Sequence, residues 1–257
     1  MVAAGKADFG ISYQEDVTYA LTSEDPLPIK TIATIIQHNT SGFVSLKSAN
    51  INSVKDFEGK TYAGWGAPSE EAVIKAVMNE AGADFSKLNI VGSDGSGIAG
   101  LSDEVGKNKV NLGWEFYGWA IIKALQDGYD LNYMPLADLD NRLDYYTPVI
   151  ITNKKMIKKN SDTVKKFMEA TKKGYEYAID HPSKAAEILH EDALSDTDLK
   201  FLKESQKYLS SQYAKDADSW GVMKDSVWDN YTDFMYETGL ISQKIDAKDQ
   251  YTNEFVK

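Results

Sequence analysis

The chain has 257 residues, a formal net charge of -11 and no cysteine. That length suits one large domain or two modest ones, and the acidity excludes nucleic acid or an anionic membrane surface, which require clustered Lys and Arg. The absence of thiols excludes disulfides, thiolate catalysis and cysteine metal sites. No apolar run approaches the about 18–20 residues of a membrane span.

In chain order, the N-terminus MVAAGKADFG lacks the charged and apolar regions of a signal peptide. Residues 3–11 read as the end of a helix, a Gly5-Lys6 turn and a buried strand. A domain that opens in mid-pattern is expected to lack its own first strand and helix, and an export signal with them. Residues 9–13 then form a strand, 14–21 a short helix, and 29–37 (IKTIATIIQ) a β-branched strand that ends at His38. Residues 43–46 are extended, and the polar stretch 50–60 precedes a second unit.

That unit opens with a strand at 61–64 and a helix reaching Ala81. Pro68 with Glu70 and Glu71 marks the helix start, and Gly82 stops it. A strand at 89–91 leads into the glycine-rich turn 92–100 and a helix to Gly106. A strand at 110–112, a helix at 117–126, and strands at 131–136 and 149–152 follow. From Asn153 the pattern is helical: 161–179, 182–190, 195–212 and 219–238. Alternating β and α with a helical tail predicts an α/β protein with mostly parallel sheets. If the runs at 43–46 and 149–152 both cross between lobes, residues 1–46 and 149–257 build lobe one and 47–148 build lobe two. This is the plan of a hinged receptor with a ligand cleft between its lobes.

The stretch 113–119 (GWEFYGW) organises the rest. It follows a strand and opens a helix, and in open α/β sheets ligands sit outside the carboxyl ends of strands. Its rings offer stacking area, and Glu115 can accept hydrogen bonds from amino groups, a combination that suits a flat, amino-bearing heterocycle. Such aromatics also fill cores, so each ring has a purely packing alternative.

Trp65 ends another strand beside Gly66, which permits close backbone approach. Glu70 and Glu71 occupy the helix start beyond it, where they would oppose an anion, although two glutamates can merely complement the helix dipole. Tyr13 with Glu15, and Tyr145 with Tyr146, place the same chemistry at two more strand ends. Of the three histidines, only His38 follows a strand end. No GxSxG, HExxH or Walker sequence is present, and no metal site can be assembled from histidine spacing. The segment 92–97 (GSDGSG) lacks the phosphate-loop ending and reads as a flexible loop.

Residues 8–15 (DFGISYQE), 64–70 (GWGAPSE), 114–119 (WEFYGW) and 144–149 (DYYTPV) resemble the substrate-binding proteins of bacterial ABC importers for thiamine pyrimidine precursors. These share a superfamily with fungal thiamine-pyrimidine synthases and with sulfonate and taurine receptors. The resemblance implies a type II periplasmic-binding-protein fold of two lobes joined by a two-strand hinge. It further implies an aminopyrimidine ligand such as formyl-aminomethyl-pyrimidine or hydroxymethyl-pyrimidine, bound without cofactor or catalysis. An extracytoplasmic, lipid-anchored receptor that serves a permease follows from it. The expected ligand-binding residues are Tyr13, Glu15, His38, Trp65, Trp114, Glu115, Tyr117, Tyr145 and Tyr146. The competing readings are a synthase-like enzyme, weakened by the absence of the synthases' cysteine-rich motif, and a receptor for a sulfonate or riboflavin-like ring.

Overall fold

A computed structural model of the protein describes residues 1–107 and 109–256. Strand Phe9–Ser12 (β1) precedes helix Gln14–Thr22 (α1) and strands Ile29–Thr34 (β2) and Ser41–Leu46 (β3). Thr61–Gly64 (β4), Pro68–Glu80 (α2), Asn89–Gly92 (β5) and Leu112–Phe116 (β6) follow, then Ile122–Gln126 (α3), Leu131–Pro135 (β7) and the short Leu136–Leu139 (α4). After Val149–Asn153 (β8) the chain is helical: Lys154–Lys159 (α5), Ser161–Asp180 (α6), Pro182–Asp192 (α7), Leu199–Ser210 (α8), Asp225–Glu237 (α9) and Ala247–Gln250 (α10).

The chain divides into two compact units, one of residues 1–39 with the chain from Asp144 onward, the other of residues 40–143. The divisions fall at 39/40 and 143/144, ahead of the runs 43–46 and 149–152 expected to mark them. Both of those runs are interior strands rather than crossings, β3 in the second unit and β8 in the first.

In the first unit β8 is the middle of a three-stranded sheet ordered β1-β8-β2, antiparallel throughout. Successive residues of a strand face opposite sides, and β8 uses both. Val149 and Ile151 join Val17 and Leu21 of α1 and Trp228 of α9, whereas Ile150 joins Ile32, Val164 and Met168 of α6, and Trp220. Buried residues at nearly every position of β2 and β8 thus mark a sheet covered on both faces. The β2 strand is shorter than its β-branched run suggests. Beyond Thr34 the backbone turns away, the Thr34 hydroxyl donating to the Ile36 carbonyl and the Ile35 N–H to the Pro148 carbonyl.

The second unit carries a five-stranded sheet ordered β5-β4-β6-β3-β7. Strands β5, β4 and β6 are mutually parallel, and β3 pairs antiparallel with β6 and β7. Neither sheet is therefore mostly parallel: the first is antiparallel and the second mixed, because β8 and β3 run back between neighbours of opposite direction. Two further expectations change here. Residues 113–116 belong to β6, since pairing to β3 from Val44↔Gly113 to Ser41↔Phe116 keeps them extended. The turn expected there begins only at Tyr117, with one turn of π-helix at Tyr117–Ile121. The helix expected to reach Gly106 is a single 3-10 turn, Gly97–Gly100, in a segment whose glycines disfavour helix.

Candidate functional site

A cavity of about 660 Å³ opens in the second unit. Strands β4, β5 and β6 are parallel, so their carboxyl ends lie on one side, and Gly64-Trp65, Gly92-Ser93 and Trp114-Glu115-Phe116 all line the cavity there. That is where open α/β sheets place ligands. The Trp65 and Trp114 rings meet edge to face, centroids 5.1 Å apart. Trp114 also rests against Phe43 at 5.7 Å, which in turn contacts the buried Phe57 and Tyr62 rings. One indole is thus rooted in the core of the unit, whereas Trp65 is 59% exposed.

Glu115 lines the same cavity, half-buried, and burial raises its carboxyl above the ordinary value. Gly97, at φ +56°, passes close enough that a Cβ there would stand 3.6 Å from Glu115 Oε1. The loop 92–100 is therefore a wall of the cavity. A half-buried carboxyl that shares a cavity with two indoles can pair with an amino group while an indole face holds a flat ring. Tyr117 does not join it: its ring packs edge-on against Tyr133 at 5.3 Å, beside Val44, Ile98 and Ile121.

The remaining candidates lie in the first unit. Tyr13 is the N-cap residue of α1 and 45% exposed. Glu15, in the first turn of α1, has a buried Oε2 without a hydrogen-bond partner. Burial pushes its carboxyl up to about 7; the Asp16 charge adds to the rise and the Tyr145 hydroxyl opposes it. Tyr145 is buried and stacked on Tyr231, centroids 4.0 Å apart. Tyr146 is 1% exposed, packed against Trp228, and its hydroxyl accepts the Lys224 N–H at 2.9 Å. His38 Nδ1 lies 2.6 Å from Asp144 Oδ2. The structure thus brings Trp65, Trp114 and Glu115 together, and separately Glu15 with Tyr145, while Tyr146 is a core residue.

The roles of two residues escaped the sequence reading, in which Glu70 is only a charge at the helix start and Asp144 only part of a motif. Glu70 is buried and turns back to accept the N–H groups of Trp65 and Gly66. Its signal was a glutamate at the third helical position, where side chains reach back to cap free N–H groups. Asp144 orients His38, and nothing local connects residues so far apart in sequence. Among the described residues no group of three His, Asp or Glu stands ready to hold a metal ion, and no helix is long and apolar enough to cross a membrane.

Known proteins are similar to this chain. A formylaminopyrimidine-binding protein of Halalkalibacterium halodurans is 25% identical over 198 residues, 74% of this chain and 56% of that protein. The chain thus spans little more than half the length of that relative. A riboflavin-binding protein, RibY, of Chloroflexus aurantiacus is 26% identical over 255 residues, covering 92% of this chain and 67% of that protein. The alkanesulfonate-binding protein SsuA of Xanthomonas axonopodis pv. citri superposes with a TM-score of 0.70 at 12% identity, covering 98% of this chain and 82% of that one. The desulfurization enzyme DszB does so with 0.68 at 10% identity, covering 99% and 85%. At such identities the superpositions show the fold, that of the periplasmic substrate-binding proteins. The NMT1/THI5-like family model matches residues 1–185, and the chain belongs to that family.

Proposed function

We propose that the protein is a solute-binding receptor of an ABC importer, and that its second unit holds an aminopyrimidine thiamine precursor. The observation that carries this reading is the convergence of Trp65, Trp114 and Glu115 on one cavity at the carboxyl ends of three parallel strands. The indoles supply faces for a flat ring and the carboxyl a partner for its amino group. A sulfonate fits less well. The N–H groups of Trp65 and Gly66 ahead of α2, which could hold an anion, already donate to the Glu70 carboxylate. Its partners are then the small ligand and a permease, on the outer side of the membrane, with a lipid anchor as part of the same reading.

A larger fused ring such as riboflavin is the second reading. The cavity volume of about 660 Å³ lies within the about 300–1,000 Å³ typical of pockets for drug-sized ligands, and one relative is a riboflavin-binding protein.

Thermal unfolding with formyl-aminomethyl-pyrimidine, hydroxymethyl-pyrimidine, riboflavin and taurine tests both. A ligand at a hundredfold its Kd stabilises by about 2.7 kcal/mol, a clear rise in the melting midpoint. A rise with the pyrimidines alone supports the first reading. A rise with riboflavin or taurine instead reassigns the ligand, and conversion of any of the four during incubation would replace the receptor with an enzyme.

A further inference from the structure

Glu70 is 3% exposed, at the third position of α2 behind Ala67 and Pro68. A carboxylate so far from water needs hydrogen-bond donors. It has three, all neutral groups of the strand and turn that carry Trp65. Oε1 accepts from the Tyr62 hydroxyl and, at 3.2 Å, from the Trp65 N–H, while Oε2 accepts from the Gly66 N–H at 2.8 Å. Burial, and then the adjacent Glu70 carboxylate, push the Tyr62 hydroxyl far above the ordinary tyrosine value, so it remains a donor. Gly64 completes the fit, because a Cβ there would collide with the Glu70 carboxyl and the Tyr62 ring. Gly66, at φ +80°, supplies the left-handed residue that the turn requires.

We propose that Glu70 is a positioning residue, a buried acceptor that fixes the Trp65–Gly66 turn and so sets the Trp65 indole against Trp114 at the cavity wall. An indole that is 59% exposed has little packing of its own to hold it, so its orientation comes from the backbone beneath it. The inference rests on the proposal above that these two rings face the ligand, and adds the group that sets their spacing. Glutamine fills the same volume but offers one carbonyl oxygen and an amide that must face at least one of the donors. The resulting donor–donor contact opens the turn.

Fluorotryptophan labelling gives each of the five tryptophans its own fluorine NMR signal, with that of Trp65 assigned by its loss in Trp65→Phe. In Glu70→Gln the Trp65 and Trp114 signals are expected to move. Those of Trp220 and Trp228, buried in the other unit, should stay. Calorimetric affinity for formyl-aminomethyl-pyrimidine should fall about tenfold or more, and Glu70→Asp should recover part of both. An unmoved Trp65 signal in Glu70→Gln overturns the proposal whatever the affinity does. Wild-type protein that binds no formyl-aminomethyl-pyrimidine refutes the ligand reading alone, because the spectrum still decides whether Glu70 sets Trp65. If Glu70→Gln does not fold, Tyr62→Phe takes its place: a smaller displacement of the Trp65 signal supports the role, and an unchanged signal refutes it.

Discussion

His38 and Asp144 are joined by a hydrogen bond of 2.6 Å between Nδ1 and Oδ2, and the other oxygen of the same carboxylate accepts the Asn39 N–H at 2.8 Å. Asn39 and Asp144 are the residues at which the chain leaves and re-enters the first unit, so one carboxylate ties both passages at that end. Asp216 approaches His38 Nε2 at 3.5 Å. The Asp144 bond raises the imidazole above its ordinary value, with burial and Lys215 opposing and Asp216 adding.

A raised imidazole is bound more tightly to its proton in the folded state. Its contribution is therefore complete below the unfolded value of about 6.5 and is lost as pH rises through the folded value. Asp144→Asn is expected to lower the melting midpoint by several degrees at about pH 5.5 and by clearly less at about pH 9. Circular dichroism melts check this, and equal losses at both pH values would remove the His38 charge from the account.

Glu15 works with the same sign for a different cause. Burial lifts its carboxyl to about 7, so the folded protein holds the proton more tightly than the unfolded chain. The stabilisation is complete below about pH 4.5 and disappears as pH rises to about 7. A rise of that size corresponds to on the order of 3 kcal/mol. Glu15→Gln should flatten the decline of the melting midpoint across that window and make the protein more stable than wild type at pH 8. A decline that survives unchanged in the variant would show that other groups cause it.

The two cavity tryptophans should separate binding from stability. Trp65→Ala removes an exposed ring, so ligand affinity falls while the denaturation midpoint stays close to that of wild type. Trp114→Ala also removes the contact with Phe43 and should cost about 2 kcal/mol of stability, below the range for fully buried Trp because the ring is only half-buried. Urea titrations beside calorimetry distinguish them. Equal stability losses would mean that Trp65 is a core ring.

Glu115→Gln keeps shape and removes the charge of a half-buried acceptor. Affinity for an aminopyrimidine should drop about ten- to a hundredfold, with little change in melting. Unchanged affinity would take Glu115 out of the site. Tyr146→Phe is the contrast: loss of the oxygen that accepts the Lys224 N–H should cost about 1 kcal/mol of stability and leave affinity untouched. A weakened affinity there would return the Tyr146 hydroxyl to the ligand.

Local chemistry alone determined much of this protein. The β-branched run at 29–34, the Pro68 start and Gly82 stop of α2, and the helical repeat from 161 onward write their elements directly into the sequence, because pattern, cap and turn residues act over a few positions. The same locality made residues such as Trp65, Trp114 and Glu115 legible as strand-end chemistry. What only the tertiary structure decided depends on partners distant in sequence. Pairing to β3 kept 113–116 extended where a turn was expected, and the return of β8 and β3 made one sheet antiparallel and the other mixed. The packing of α9 enclosed Tyr146, and Glu70 folded back over a strand end that a helix-dipole argument leaves out. His38 found Asp144 across 106 positions, a contact that no spacing rule anticipates, because the free energy that holds it comes from the packed unit around it.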